Sequence, residues 1–376
     1  MRQQLQKRRK PSPNQTGNKS KFMGEKLIDS PKDYTFGKRK NRWPWIIIGG
    51  VAAVILILVG GYLMYGKSDG LLGAGKPKRI TESLPRVLDG VVVESEKANL
   101  FPLCVMIENH SSVRPQSGLS QAGVVYEALA EGGITRFLVI FSVNGEMEFG
   151  PVRSARPYFV DLAREYNCLY VHAGGSPQGL EEIKNTAILD FDQFFKPYNF
   201  FRIPGLAYEH SLFSNLQKMQ FGREAMKIKD RGTYESWQFK EDSPVVAPSQ
   251  KSIKIDFSTS SYRVEYSYDK AQNSYTRSQG GVVSIDKNNN AKIAPKNVAV
   301  MFTSSTLFDE LRRNITVVGE GKLIIFEDGQ AITGTWKKIS PESRLQFLNS
   351  EGAVIKLNRG HTWVEVVDVP EKNISY

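Results

Sequence analysis

Apolar residues in this chain follow three patterns, each predicting a different kind of element. From Trp43 to Tyr65 they run for 23 residues with no charge (WPWIIIGGVAAVILILVGGYLMY). As a helix rising about 1.5 Å per residue, this run is about 35 Å long, enough to cross a hydrocarbon core of about 30 Å. Trp43, Trp45, Tyr62 and Tyr65 stand near its ends, where ring side chains favour the membrane interfaces. The second pattern has helical spacing: Ala155, Tyr158, Phe159, Leu162, Ala163 and Tyr166, with Ser154 as the expected N-cap. The third is strand-like. Leu103–Ile107 and Leu169–His172 read as buried strands, and Val124–Glu131 and Ile134–Ser142 flank the hairpin signal Gly132-Gly133. Beyond residue 250 short alternating segments dominate: SIKIDF, YRVEYSY, NVAVMF, KLIIFE, AITGTW, AVIKL and TWVEVV.

These patterns predict an α+β chain in five parts: a disordered basic tail (1–42), a transmembrane helix (43–65), a linker (66–85), a mixed α/β domain (86–243) and a mostly β domain (250–370). A composition break at EDSPVVAPSQ separates the last two.

Charge adds an orientation. The net charge of +11 is concentrated at one end. Residues 1–45 hold 13 Lys+Arg against 3 Asp+Glu, and the remainder 37 against 36. A basic flank stays in the cytoplasm, so the segment reads as a signal-anchor with the body outside the cell membrane. A cleaved signal peptide fits less well, because both the tail and the apolar run are too long. The tail suits anionic lipid headgroups. The near-neutral body shows no basic stripe, which argues against nucleic acid as a partner. Cys104 and Cys168 both lie in apolar runs, and their pairing stays open.

Candidate chemistry gathers at two helix starts. In GPVRSARP, Arg153 and Arg156 stand where free backbone N–H groups already favour anions. In YVHAGGSPQG, His172 precedes Gly174 and Gly175, which permit close approach to the backbone; Ser176 and Pro177 then read as N-cap and N1. Ser176 with His172 as its base is a possible nucleophile pair, but capping alone explains the serine. His110 and Arg114 occupy a polar loop after a strand end. A simple two-residue hairpin sets Glu127 opposite Leu138 and Glu131 opposite Ile134, so that Glu127, Glu131 and Arg136 share one face. Such a face is an ordinary salt-bridged surface or a weak seat for a divalent metal. No GxxxxGK[ST], HExxH, CxxC or GxSxG occurs, so no cofactor is indicated with certainty.

Several stretches carry a family resemblance. ENHSSVRPQSGLSQAGVVYEALAEGGITRF, GPVRSARPYFVDLA and YVHAGGSPQG resemble the first domain of the YerB-like family of bacterial extracytoplasmic proteins. YSYDKAQNSYTRSQGG, GKLIIFEDGQAITGTWKK and NRGHTWVEV resemble its second. The resemblance covers about residues 85–370. It implies a cell-envelope location in Gram-positive bacteria, where members are typically classed as lipoproteins, and no known catalytic residues. This chain departs from that pattern by carrying an apolar span with no lipobox cysteine.

Three functions remain open. The first is binding of an anionic envelope ligand or partner protein through Arg114, Arg153, Arg156 and the Gly174–Ser176 loop. The second is metal-assisted phosphoryl transfer on polyprenyl-phosphate-linked glycans, resembling LytR-type ligases in architecture alone. The third is a structural role in wall or division assembly.

Overall fold

In the computed structural model, residues 53–62, 82–249, 252–309 and 312–376 are described. They fall in two units, divided after Lys78. In the first, residues 53–62 are helical (α1) and Tyr62 is exposed. Trp43, Trp45, Tyr65 and the rest of the apolar run lie outside the described residues, as does the basic tail. Among the described residues no helix is long and apolar enough to cross a membrane.

The second unit is built on one ten-stranded mixed sheet. Its strands are β1 (Leu103–Glu108), β2 (Val124–Glu131), β3 (Ile134–Phe141), β4 (Leu169–His172) and β5 (Leu189–Asp192) from the first half. A smaller five-stranded sheet contains β6 (Ser252–Asp256), β7 (Arg263–Asp269), β8 (Ser274–Gln279) and β9 (Val282–Val283). The large sheet resumes with β10 (Asn297–Phe302), β11 (Gly319–Glu327), β12 (Gln330–Lys338), β13 (Gln346–Asn349) and β14 (Thr362–Val367); β15 (Ile374–Ser375) completes the small one. The order across the large sheet is β13-β12-β11-β10-β14-β2-β3-β1-β4-β5. Parallel pairing of β14 with β2 (Thr362 opposite Val124) joins the two halves edge to edge.

The apolar patterns explain the layering. Strands with unbroken apolar runs, such as LCVMI and NVAVMF, are buried on both faces. Alternate residues enter two cores. Val105, Val125, Phe137, Val300 and Trp363 face Ile253, Ile255, Val264 and Tyr266 of the small sheet. Cys104, Tyr126, Leu138, Met301 and Val364 share the other core with helix α2 (Pro157–Arg164). The small-sheet strand SIKID alternates exposed and buried because only one of its faces is covered. Helix α3 (Pro177–Lys184) and helix α4 (Leu216–Ala225) complete the unit.

Three local expectations need correction. Helix α2 starts two residues late: Pro157 takes N1, so Arg156 rather than Ser154 is the N-cap residue. In the β2–β3 hairpin both turn glycines have positive φ, as expected, but a bulge between Leu129 and Glu131 shifts the register. Glu127 therefore opposes Phe137, not Leu138. Lastly, AVIKL is not one regular strand: Val354 makes a single antiparallel bridge to Leu348, and Leu357–Asn358 pairs with Phe239–Lys240. The cysteine question closes: Cys104 and Cys168 form a disulfide across the β1–β4 seam, with Cα atoms 5.8 Å apart.

Candidate functional site

Strands β1, β4 and β5 are neighbours and run parallel, so their last residues, Glu108, His172 and Asp192, lie at one edge of the sheet. Ligands of such sheets gather at the carboxyl ends of strands. A cavity of about 1020 Å³ opens there. Its wall is largely apolar, with Val152, Ala173, Leu180, Phe194, Phe195 and Leu212, and it carries the cations Arg153, Lys184 and Arg202. Leu180, Phe194 and Phe195 are exposed, so the apolar surface is open to a ligand.

The backbone around the cavity is fixed from below. Ser176 caps α3 by accepting from Gly179 N. The buried His172 ring is held from both sides, Nδ1 lying 2.8 Å from the Gly174 carbonyl oxygen and Nε2 2.7 Å from Asp190 Oδ1. Asp192 Oδ1 accepts the N–H groups of Gly174 and Phe194 (2.9 and 3.1 Å). Gly174 has φ of +59°, and a Cβ there would stand 3.0 Å from the Phe194 ring. Its lack of a side chain keeps both the turn and the approach open.

The three arginines foreseen as one cluster are separated. Arg153 lines the cavity, half neutralised by Glu108 (Nη2 to Oε1, 2.7 Å), which also accepts from His210 Nδ1 (2.9 Å). Its Nε is buried without a partner. Arg156 is buried and engaged by Glu131 and the Ala155 carbonyl. Arg114 points instead to a smaller hollow of about 400 Å³ beside the small sheet, where it donates to Asn109 and the Ser261 carbonyl and sits 4.9 Å from the Tyr262 ring. Burial lowers its pKa. His110 is stacked on His210, ring centroids 5.0 Å apart.

Glu127 and Glu131 do not share a face. The bulge sends Glu131 to the α2 side, where it accepts from Arg136 and Arg156. Burial pushes its carboxyl up, but the two guanidinium groups outweigh this and hold it below the usual range. Glu127 faces the small sheet and is paired with Arg277 (2.6 Å). Among the described residues no group of three or more His, Cys, Asp or Glu is arranged to hold a metal ion.

Reading the sequence missed Lys184, Asp192, Arg202 and Glu209. One signal was available: the run FDQFFKPYNFFR, at the end of a strand, sets five phenylalanines and a tyrosine among charges. It provides the rim residues Phe194 and Phe195.

A two-part α+β body with a strand-end cavity is the class these observations define. Residues 88–229 match the N-terminal domain, and residues 253–364 the C-terminal domain, of the family described as "Protein of unknown function (DUF3048)", and the chain belongs to that family. It is 32% identical over 304 residues to the Bacillus subtilis protein named "Putative lipoprotein YerB", covering 78% of this chain and 89% of that one. The crystal structure of Bacillus subtilis YerB is similar in fold: TM-score 0.71 at 30% identity, over 78% of this chain and 99% of that one.

Proposed function

We propose that this chain is a membrane-anchored protein of the outer side of the bacterial cell membrane whose body binds an anionic ligand at the strand-end cavity. The 23-residue apolar run and the basic flank before it support the anchor and its orientation. The disulfide supports an oxidising compartment. The word lipoprotein in the name of the Bacillus subtilis relative supports a membrane association.

One observation carries the binding reading. Lys184 and Arg202 line the cavity with no carboxylate partner among the described residues. Arg202 donates to the Tyr208 carbonyl (2.6 Å) and the Ser211 hydroxyl (3.2 Å), its guanidinium stacked 3.6 Å from the Tyr208 ring, while Lys184 makes no side-chain bond. Uncompensated cations beside apolar walls favour an incoming phosphate or carboxylate, and a guanidinium fork takes either in bidentate fashion. Metal-assisted phosphoryl transfer has less support, because Glu127 and Glu131 are separated by the sheet and already engaged by arginines.

Calorimetric titration of the full chain in detergent with pyrophosphate tests the reading. Binding should weaken at least tenfold, about 1.4 kcal/mol, in the Arg202→Gln/Lys184→Gln double variant and stay unchanged in Arg114→Gln. Equal affinity in all three proteins would refute it.

A further inference from the structure

We infer that the ligand of the strand-end cavity is zwitterionic: a short peptide with a free amino terminus and a free carboxylate. This rests on the binding reading above and names its ligand class. The support is a balance of uncommitted charges. Arg153 is paired with Glu108, and Asp190, 41% exposed, is hydrogen-bonded to His172 Nε2 and open to water. Lys184 and Arg202 remain on the positive side. On the negative side, Asp192 lines the same cavity at 4% exposure with no lysine or arginine partner. Its Oδ1 takes two backbone N–H groups, and among the described residues its Oδ2, which faces the cavity's solvent, has no hydrogen-bond partner. Glu209 also lines the cavity; its nearest cationic group is His210 Nε2 at 4.0 Å.

A buried carboxylate without a counter-charge is costly, and an anion placed beside it raises that cost. A purely cationic ligand would be repelled by the exposed Lys184 and half-buried Arg202. A ligand carrying both charges settles both sides at once. Glu209 follows Tyr208, whose ring lies against the Arg202 guanidinium, so opposite charges occur within neighbouring residues of the wall. The apolar surface of Leu180, Phe194, Phe195 and Leu212 then suits a hydrocarbon side chain between the charged ends. An extended tripeptide spans roughly 10 Å, and a cavity of about 1020 Å³ holds one.

The test titrates the full chain in detergent with Ala-Leu-Ala in three forms: free termini, N-acetylated and C-amidated. The free form should bind, with each modification weakening it at least tenfold. In Glu209→Gln, whose side chain is 60% exposed, the penalty for acetylation should shrink. In Asp192→Asn it should nearly vanish, thermal melting reporting whether that variant stays folded. If acetylation changes nothing while amidation abolishes binding, the zwitterion is overturned and the anion seat stands. The same follows if pyrophosphate binds and no tripeptide does. If neither pyrophosphate nor any tripeptide binds, both readings fall.

Discussion

Arg277 and Glu127 form an ion pair almost wholly removed from water, with side chains 2% and 0% exposed. Arg277 also donates to Ser284 Oγ (2.8 Å) and lies 4.6 Å from the Trp363 ring, tying the small sheet to the large one. Deleting one member of such a pair leaves a buried charge alone. Arg277→Met should cost about 3–5 kcal/mol in urea unfolding. Beside the pair, burial and the nearby Glu127 charge raise Glu365 well above the ordinary carboxyl range, and it accepts from Tyr266 Oη (2.6 Å).

Glu327 gives a pH signature. Burial, resisted by Lys240 and reinforced by Asp328, raises its pKa to about 7 from 4.5. The folded state therefore holds this proton more tightly than the unfolded chain. The stability it contributes is complete below about pH 4.5 and is lost as pH rises towards 7. Stability of Glu327→Gln relative to the parent should rise between pH 5 and 7 and then level, as read from denaturation midpoints; a flat difference would contradict the assignment. Residues of this kind were hard to see in the sequence. Arg156 stood out because it sits at a helix start, yet its partner Glu131 reaches it only through a bulge. Asp192 and Arg202 lie near the two ends of a Phe-rich run and gain their meaning as site residues only where three strand ends meet.

At the scale of elements, Ser176 caps the helix that follows the strand-end loop, and the disulfide ties the amino-terminal ends of β1 and β4. Ser176→Ala removes the bond to Gly179 N and should cost about 1 kcal/mol without altering pyrophosphate affinity, which separates a capping serine from a nucleophile. The disulfide bridges residues 64 apart and binds β1 to the chain leading into β4. By the chain-entropy relation, loss of that crosslink should cost about 4 kcal/mol, measured as the stability difference between the parent and Cys104→Ser/Cys168→Ser. Most elements were legible because burial on both faces writes continuous apolar runs, and burial on one face writes alternation. NVAVMF and TWVEVV coincide with β10 and β14. The bulge was not legible, since nothing in Leu129–Glu131 distinguishes it from regular strand. The late start of α2 was legible in Pro157 and overlooked in favour of the better-known capping residue Ser154.

For the whole molecule, the governing fact is the position of β14, between β10 and β2. Sequence composition separates the chain near residue 245, but the sheet does not stop there. Pairing between strands more than 200 residues apart leaves no local pattern, so neither the strand order nor this closure could be read from the sequence. Residues 82–249 expressed alone would present β2, buried across almost its whole length, as a bare edge. That fragment should aggregate or lack a cooperative melt, whereas residues 79–376 should melt cooperatively.

The same sheet carries β1, β4 and β5, and their ends build the cavity on which the functional account depends. Crystals of residues 79–376 soaked in pyrophosphate address it directly. The account expects ordered density within hydrogen-bond distance of Arg202 and Lys184. Density at Arg114 instead, or an empty cavity at saturating concentration, would contradict it.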